Sequence, residues 1–439
     1  MRKRLATALL AVAMLFSTAC AAPIAVNFED TAALIDENGA EIVAPGAYDF
    51  IFALGGDGAL FSGGSDVEGE YFYALLNGEG ERLTQQAYDM FSQDGDVVIF
   101  SQDGRYGAMR ADGQVLFEAA YTQLVSNGEG GFLGLTTDCF DEEPDGLYSI
   151  DAQGNQTATG VRTLGALGRF EGGLMPLISA ENNLYGYVDA SGQWAVRPQF
   201  VFAGTFIGER ALASLSTGYG LIDRTGNWVL TPKYVSLTYD DASLALAVET
   251  DGAAVGFDPV TCAEKFRIDD ASGFVSVYDG LLQVYDVDAV RLYDYEGNLI
   301  HTAPAGASYA AGLNGQYILT DGPWGAACCR LLNGDGTLSE QAWQSLFPLF
   351  AVDGTAYYGI MRFDASAEYS ETLNEETYTW DTDSVRYGVV NGAGETVLEA
   401  EYEELYAISD GRLFVRRGGA QGVMDVSGNW IYQLDTASE

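Results

Sequence analysis

One motif is written many times along this chain of 439 residues. Leu184-Tyr185-Gly186-Tyr187-Val188-Asp189-Ala190-Ser191-Gly192-Gln193-Trp194-Ala195-Val196-Arg197-Pro198-Gln199-Phe200 aligns with Gly218-Tyr219-Gly220-Leu221-Ile222-Asp223-Arg224-Thr225-Gly226-Asn227-Trp228-Val229-Leu230-Thr231-Pro232-Lys233-Tyr234. The frame returns at Tyr387-Gly388 with Gly394 and Tyr402, at Gly422 with Gly428 and Trp430, and at Tyr106-Gly107 with Gly113 and Tyr121. Looser copies carry a turn glycine at Gly39, Gly80, Gly154, Gly297 and Gly336, and one unit has Thr261 in that place. Successive turn positions lie 33 to 41 residues apart, except for one step of 58 between Gly336 and Gly394. Self-similarity at this period means stacked supersecondary units. About eleven units fit the chain, and the long step leaves a surplus at residues 364–384.

Local chemistry makes each unit β. Tyr219 to Asp223 is a short apolar and aromatic segment. Asp223-Arg224-Thr225-Gly226 reads as a hairpin turn, with Asp accepting backbone N–H groups and Gly supplying positive φ. Trp228-Val229-Leu230 is the return strand, and Pro232 is expected to end it because proline cannot donate to a ladder. A further strand follows in many copies, as in Ala211 to Leu215 and Gly411 to Val415. No stretch after the N-terminal segment shows a sustained helical apolar period. The fold class is therefore all-β, a repeat architecture of short β-meanders. Two arrangements fit: a β-propeller-like array, in which closure removes exposed strand edges, and an open β-repeat stack.

These units resemble the WG repeat, also called the KWG repeat, of bacterial surface and secreted proteins. Tyr185-Gly186 and Tyr219-Gly220 stand in the WG position, followed by the D-x-x-G-x-W-x-x-x-P-x-aromatic tail. The likeness is sharp at 184–200 and 218–234, moderate at 106–121, 387–402 and 422–430, and in frame over most of the chain. Tyr replaces the family's first Trp, and several copies lack the Gly or the Pro. The resemblance implies a repeat β fold and an exported interaction role, and no activity.

The N-terminus reads as an address. Arg2, Lys3 and Arg4 precede an apolar run from Leu5 to Phe16, closed by Ser17-Thr18-Ala19-Cys20. That is the pattern of a secretory signal, and it is shorter than the roughly 20 residues a spanning helix needs. Small residues before a cysteine resemble a bacterial lipobox, making Cys20 the lipidated first residue of the mature chain. Ser17 stands where that pattern prefers Leu, and the competing reading cleaves after Ala21 or Ala22. The expected layout is a signal peptide at 1–19, a tether or lead-in at 20–30 and a repeat domain at 31–435 with the 364–384 insertion. Localisation follows: exported, at the cell-membrane surface or outside, with membrane contact only through the lipid anchor.

A net charge of −42 gives no footprint for nucleic acid, whose phosphates need clustered Lys and Arg. It would suit cations or a basic partner, although solvated loop acids account for it. The recurrent aspartates Asp36, Asp151, Asp189, Asp223 and Asp425 occupy one position of each unit, so they serve the turn rather than catalysis. The acids that escape the repeat are Glu142, Glu143 and Asp145 in one loop and Asp381 and Asp383 in another. Paired across a cleft, they would suit a secreted, glycan-active hydrolase, the alternative function. No nucleophile elbow or nucleotide loop is present, and no catalytic residue is assigned. His301, the one histidine, sits at a return-strand position. Calcium is the ion this carboxylate density would suit, through Asn333 to Gly336 or Asp94 to Asp96, but neither has the spacing of a calcium loop; no metal ligand or other cofactor is assigned. Cys139 and Cys262 could form a disulfide, whereas buried thiols are the simpler reading for them and for Cys328 and Cys329. Most aromatics fall on repeat positions. Tyr369, Tyr378 and Trp380 do not, and insertions in repeat proteins often bind. These three are the candidate ligand-binding residues. The function read here is a non-catalytic binding protein of the cell surface, its partner a protein or glycan, with the 138–146 loop as a second candidate contact.

Overall fold

The computed structural model describes residues 22–55, 59–67, 70–136, 145–239, 243–269, 271, 274–278, 281–323, 326–370 and 375–434. Cys20 and Cys139 lie outside these residues. Short antiparallel strands make up nearly all the regular structure, with one 3-10 turn at Thr382–Ser384. Among the described residues no helix is long and apolar enough to cross a membrane. The strands form eleven meander sheets, the blades, plus one two-stranded ribbon. In chain order the blades occupy 24–48, 50–88, 90–121, 123–163, 164–200, 202–234, 236–268, 274–304, 308–343, 345–402 and 404–433.

Blade 6 shows the full unit: Phe202–Ala203, Ala211–Leu215, Gly218–Ile222 and Trp228–Tyr234, each paired with the next. Gly226 closes its third turn at φ 82°, a region closed to most side chains. Ten of the eleven turn positions read from the sequence hold a glycine with positive φ. In the degenerate unit the left-handed residue is Cys262 at φ 56°, one residue after Thr261. There the Asp258 N–H reaches Ala263 O, so the turn carries an extra residue.

Pro232 does not end its strand. Tyr219 pairs with Tyr234 and Leu221 with Leu230, so Gly220 alone stands against residues 231–233. The fourth strand bulges there, and a residue without an N–H fits where the ladder is already broken. Gly220 is the counterpart of that bulge: a Cβ on it would lie 2.3 Å from the Leu230 carbonyl oxygen. Blade 5 repeats the arrangement, with Gly186 against residues 197–199. The Gly and the Pro of the motif are thus two halves of one backbone device.

The core lies between blades. Eleven apolar clusters each straddle two consecutive blades. An open stack of eleven units would have ten such junctions. The eleventh joins Phe414, Val423 and Tyr432 of blade 11 to Ile24, Val26, Phe28, Ala33 and Ile35 of blade 1. The Tyr432 hydroxyl donates to Glu41 (2.9 Å), and an Arg412 Nη donates to the Glu37 carbonyl (3.0 Å). The array is therefore a closed, eleven-bladed β-propeller. Closure begins with Ile24–Asn27, a strand of blade 1 inside the stretch expected as a lead-in.

The blades are not equal. Blades 1 and 5 lack a first strand, and in blades 2 and 9 the fourth is reduced to isolated bridges. A cavity of about 470 Å³ opens where blade 1 lacks its first strand, between Ile51 to Ala53 of blade 2 and Ile408 to Asp410 of blade 11.

Candidate binding surface

An antiparallel meander has two ends. The first-to-second and third-to-fourth turns share one. The second-to-third turn and the link to the next blade share the other.

The first end holds the recurrent aspartates, all engaged by their own turns. Asp223 Oδ1 accepts the N–H groups of Thr225 (2.9 Å) and Asn227 (3.0 Å) and the Thr225 hydroxyl (2.7 Å). Asp36, Asp151, Asp189 and Asp425 accept the same two backbone N–H groups, two and four residues on. Partial burial pushes the Asp223 carboxyl up, but the Thr225 hydroxyl and the backbone donors outweigh it and hold the group below its ordinary value. Asp151 is lowered first by the Asn155 side chain and then by backbone donors. An acceptor held in this way stays ionised and completes a turn.

The second end holds both candidate contact segments. The 364–384 insertion extends the second-to-third connection of blade 10 as the ribbon Ala365–Ser370 and Glu375–Trp380. Its register sets Ala365 against Trp380, Ala367 against Tyr378 and Tyr369 against Glu376. Directly paired positions share a face and alternate positions along a strand share a face. Tyr369, Tyr378 and Trp380 therefore occupy one face of the ribbon, with Ala365, Ala367 and Glu376. The other face is Ser366, Glu368, Ser370, Glu375, Thr377 and Thr379. The base of the ribbon is tied by Asp364 N–H to Ser384 Oγ (2.9 Å) and Ser384 Oγ to Asp381 O (2.6 Å). Asp381 Oδ1 accepts the Asp383 N–H (3.0 Å), which makes it a turn residue of the short 3-10 segment.

The 138–146 loop holds the same connection in blade 4, between Phe132–Leu135 and Asp145–Ile150. Residues 137–144, with Glu142 and Glu143, lie outside the described residues. Both candidate contact segments thus belong to one end of the blades, which the sequence did not reveal.

The remaining candidates sit within the repeat framework. His301 is half-buried, its Nδ1 2.8 Å from the Tyr309 hydroxyl; burial lowers its pKa, and burial also pushes Tyr309 up to about 12. Cys328 and Cys329 are buried free thiols, and Cys262 is a free, half-buried one. Asn333 accepts the Gly336 N–H and Asp335 the Thr337 N–H, as in the other turns. Among the described residues no three His, Cys, Asp or Glu gather to hold an ion. Sequence reasoning passed over one surface, the aromatic face of blade 2, because its Phe-x-Phe and Tyr-x-Tyr alternation reads as core.

Three segments match the WG containing repeat family: residues 185–215, 219–247 and 387–419. The chain carries WG repeats at these places, which together fall well short of half its length. Each begins at a unit in which the motif glycine stands against a bulge of the fourth strand. No curated protein sequence matches. Solved structures that align include BamB from Moraxella catarrhalis, at 14% identity over 66% of this chain and 93% of that one, with a TM-score of 0.31. Kluyveromyces lactis Hsv2 aligns at 8% identity over 60% and 98%, with a TM-score of 0.30. The WD40 beta propeller domain of Doa1 aligns at 15% over 52% and 86%, with a TM-score of 0.23. At these scores the likeness assigns no role, and the propeller assignment stands on the eleven blade junctions.

Proposed function

We propose that this WG-repeat propeller is an exported, non-catalytic binding protein, anchored through a lipid on Cys20, whose ligand is a protein or glycan at the cell surface. The ligand is contacted at the second-to-third-strand end, first through the blade 10 ribbon. One observation carries this reading: three aromatic positions that no repeat requires fall on a single face of a ribbon outside the blade sheets. Aromatic residues are enriched where surfaces bind. The signal-like N-terminus supports export, and a lipid together with export would hold the propeller at a membrane face.

The test is affinity capture from envelope extract, using residues 21–439 with and without 364–384. A partner retained only by the intact chain supports the reading. Equal capture by both removes the ribbon from it. No capture above background counts against a binding role and makes glycan cleavage the next assay. Anchoring is tested separately, by whether Cys20→Ala abolishes incorporation of labelled fatty acid.

A further inference from the structure

Blade 2 carries an aromatic surface that the ribbon reading does not use. Its face toward blade 3 is built in rows across three strands. Phe50 pairs with Gly64 and Gly64 with Tyr73; Phe52 pairs with Ser62; Asp66 pairs with Tyr71. Paired positions share a face, so Phe50, Phe52, Tyr71, Tyr73 and Asp66 all lie on it. Gly64 lets the rings meet over the middle strand: a Cβ there would sit 2.1 Å from the Phe50 ring. The Phe50 ring centroid lies 5.4 Å from Phe52, 5.1 Å from Tyr71 and 5.5 Å from Tyr73. Deeper on the same face Leu60 and Leu75 are buried against blade 3. Phe52 and Tyr71 run past that core and are each 53% exposed. A ring cluster needed only for packing would be covered.

The stretch of chain that builds it carries charge of one sign. Between Arg4 and Arg82 the chain has twelve Asp and Glu and not one Lys, Arg or His. Asp66, directly across from Tyr71, is exposed, and so is Glu70 beside it. The Asp49 carboxylate accepts the Asp66 N–H (2.6 Å). Arg82, the first cation after this stretch, donates to the Thr84 and Gln85 carbonyls.

We propose that this face of blade 2 docks a cationic polypeptide segment, with an arginine side chain over the Phe52 and Tyr71 rings and its charge toward Asp66. Ring faces are negative, and they attract guanidinium groups, which are weakly hydrated and stack well. The carboxylates add attraction of the same sign and repel anionic polymers. A neutral sugar would gain from the rings and nothing from the acids. The inference rests on the binding role proposed above and gives it a second surface and a partner chemistry.

The test is titration of the full propeller, residues 21–439, with a fluorescein-labelled octapeptide of alternating Gly and Arg, read by anisotropy at about physiological salt. Phe52→Ala/Tyr71→Ala leaves the net charge unchanged and removes the rings. It is expected to weaken binding about tenfold, with the melting midpoint unchanged because both rings are half exposed. Asp66→Asn should weaken binding severalfold with the rings in place. Phe202→Ala, which removes an exposed ring from blade 6, should change nothing. Unaltered affinity in both blade 2 variants, or an equal loss in Phe202→Ala, would mean diffuse attraction to an acidic surface and overturn the proposal. So would binding of cellohexaose that the double variant loses while peptide affinity persists. If envelope capture survives while the peptide test fails, the binding role stands and only this surface is lost.

Discussion

Blade 6 and blade 2 are the same meander with different obligations. In blade 6 Phe206 points inward, fully buried against Tyr187 of blade 5 with ring centroids 4.8 Å apart, and Tyr187 donates its hydroxyl to the Gly204 carbonyl at 2.7 Å. Its second-to-third turn is only Ser216-Thr217, and its fourth strand runs full length through the proline bulge. In blade 2 the second and third strands run eight residues each, there is no Trp or Pro, and the fourth strand is two bridges. Its rings continue onto the surface. Residues that recur in every unit solve a problem every unit has, which is how to turn, bulge and pack on a neighbour. What a unit does for the outside is found where it departs from the repeat.

That contrast can be broken by experiment. The largest expected effect is Phe206→Ala, which empties a fully buried site between blades and should cost about 3–5 kcal/mol in denaturant unfolding. A loss below about 1 kcal/mol would show that this junction does not bear on stability. Gly220→Ala comes next. Its Cβ meets the Leu230 backbone at 2.3 Å, which cannot yield without losing the bulge, and about 3 kcal/mol is expected. Gly64→Ala meets only the Phe50 ring, a side chain that can swing out, so about 1 kcal/mol is expected there. Equal losses at the two glycines would sink the distinction between a backbone device and a ring seat.

A smaller effect separates the turns by pH. The Asp223 carboxyl is lowered in the folded chain, so its contribution is complete above the ordinary carboxylate value and is lost as pH falls through the lowered one. Blade 2 has Asn77 at this position, accepting the Glu79 and Glu81 N–H groups without a titrating charge. Asp223→Asn should therefore lose less stability than the parent between about pH 5 and pH 2. Parallel pH profiles for the two proteins would refute the assignment. The smallest effect is Phe52→Ala/Tyr71→Ala, expected within about 0.5 kcal/mol of the parent, as for surface positions generally. A core-sized loss would make those rings structural and undercut their role as a docking face.

The sequence was most legible where chemistry is local. Asp223 and Gly226 announce their turn because an acceptor and a positive φ are needed within four residues, and the same pair recurs at 189 and 192 and at 425 and 428. Pro232 was legible as a break in pairing but not as a bulge, since that depends on the strand opposite. The unit at 258 was placed one residue early because Thr261 and Cys262 are equally unlike glycine, and only the backbone shows which of them turns left-handed. Tyr369, Tyr378 and Trp380 were legible as exceptions to the period. Their shared face was not, because a one-residue change of register would have separated them. The blade 2 rings were hidden for the opposite reason: alternating aromatics look the same whether or not a neighbouring blade covers them.

By itself the sequence determined the period, the strand character of each unit, the turn chemistry and the segment that breaks the count, all of which depend on residues close in the chain. Tertiary structure decided that eleven units close into a ring, which needs blade 11 to meet blade 1 across almost the whole chain. It also decided that the two candidate contact segments share one end of the blades, and that Phe52 and Tyr71 stay in reach of solvent while Phe206 does not. Burial belongs to the neighbour as much as to the residue, and the neighbour is known only once the ring is built.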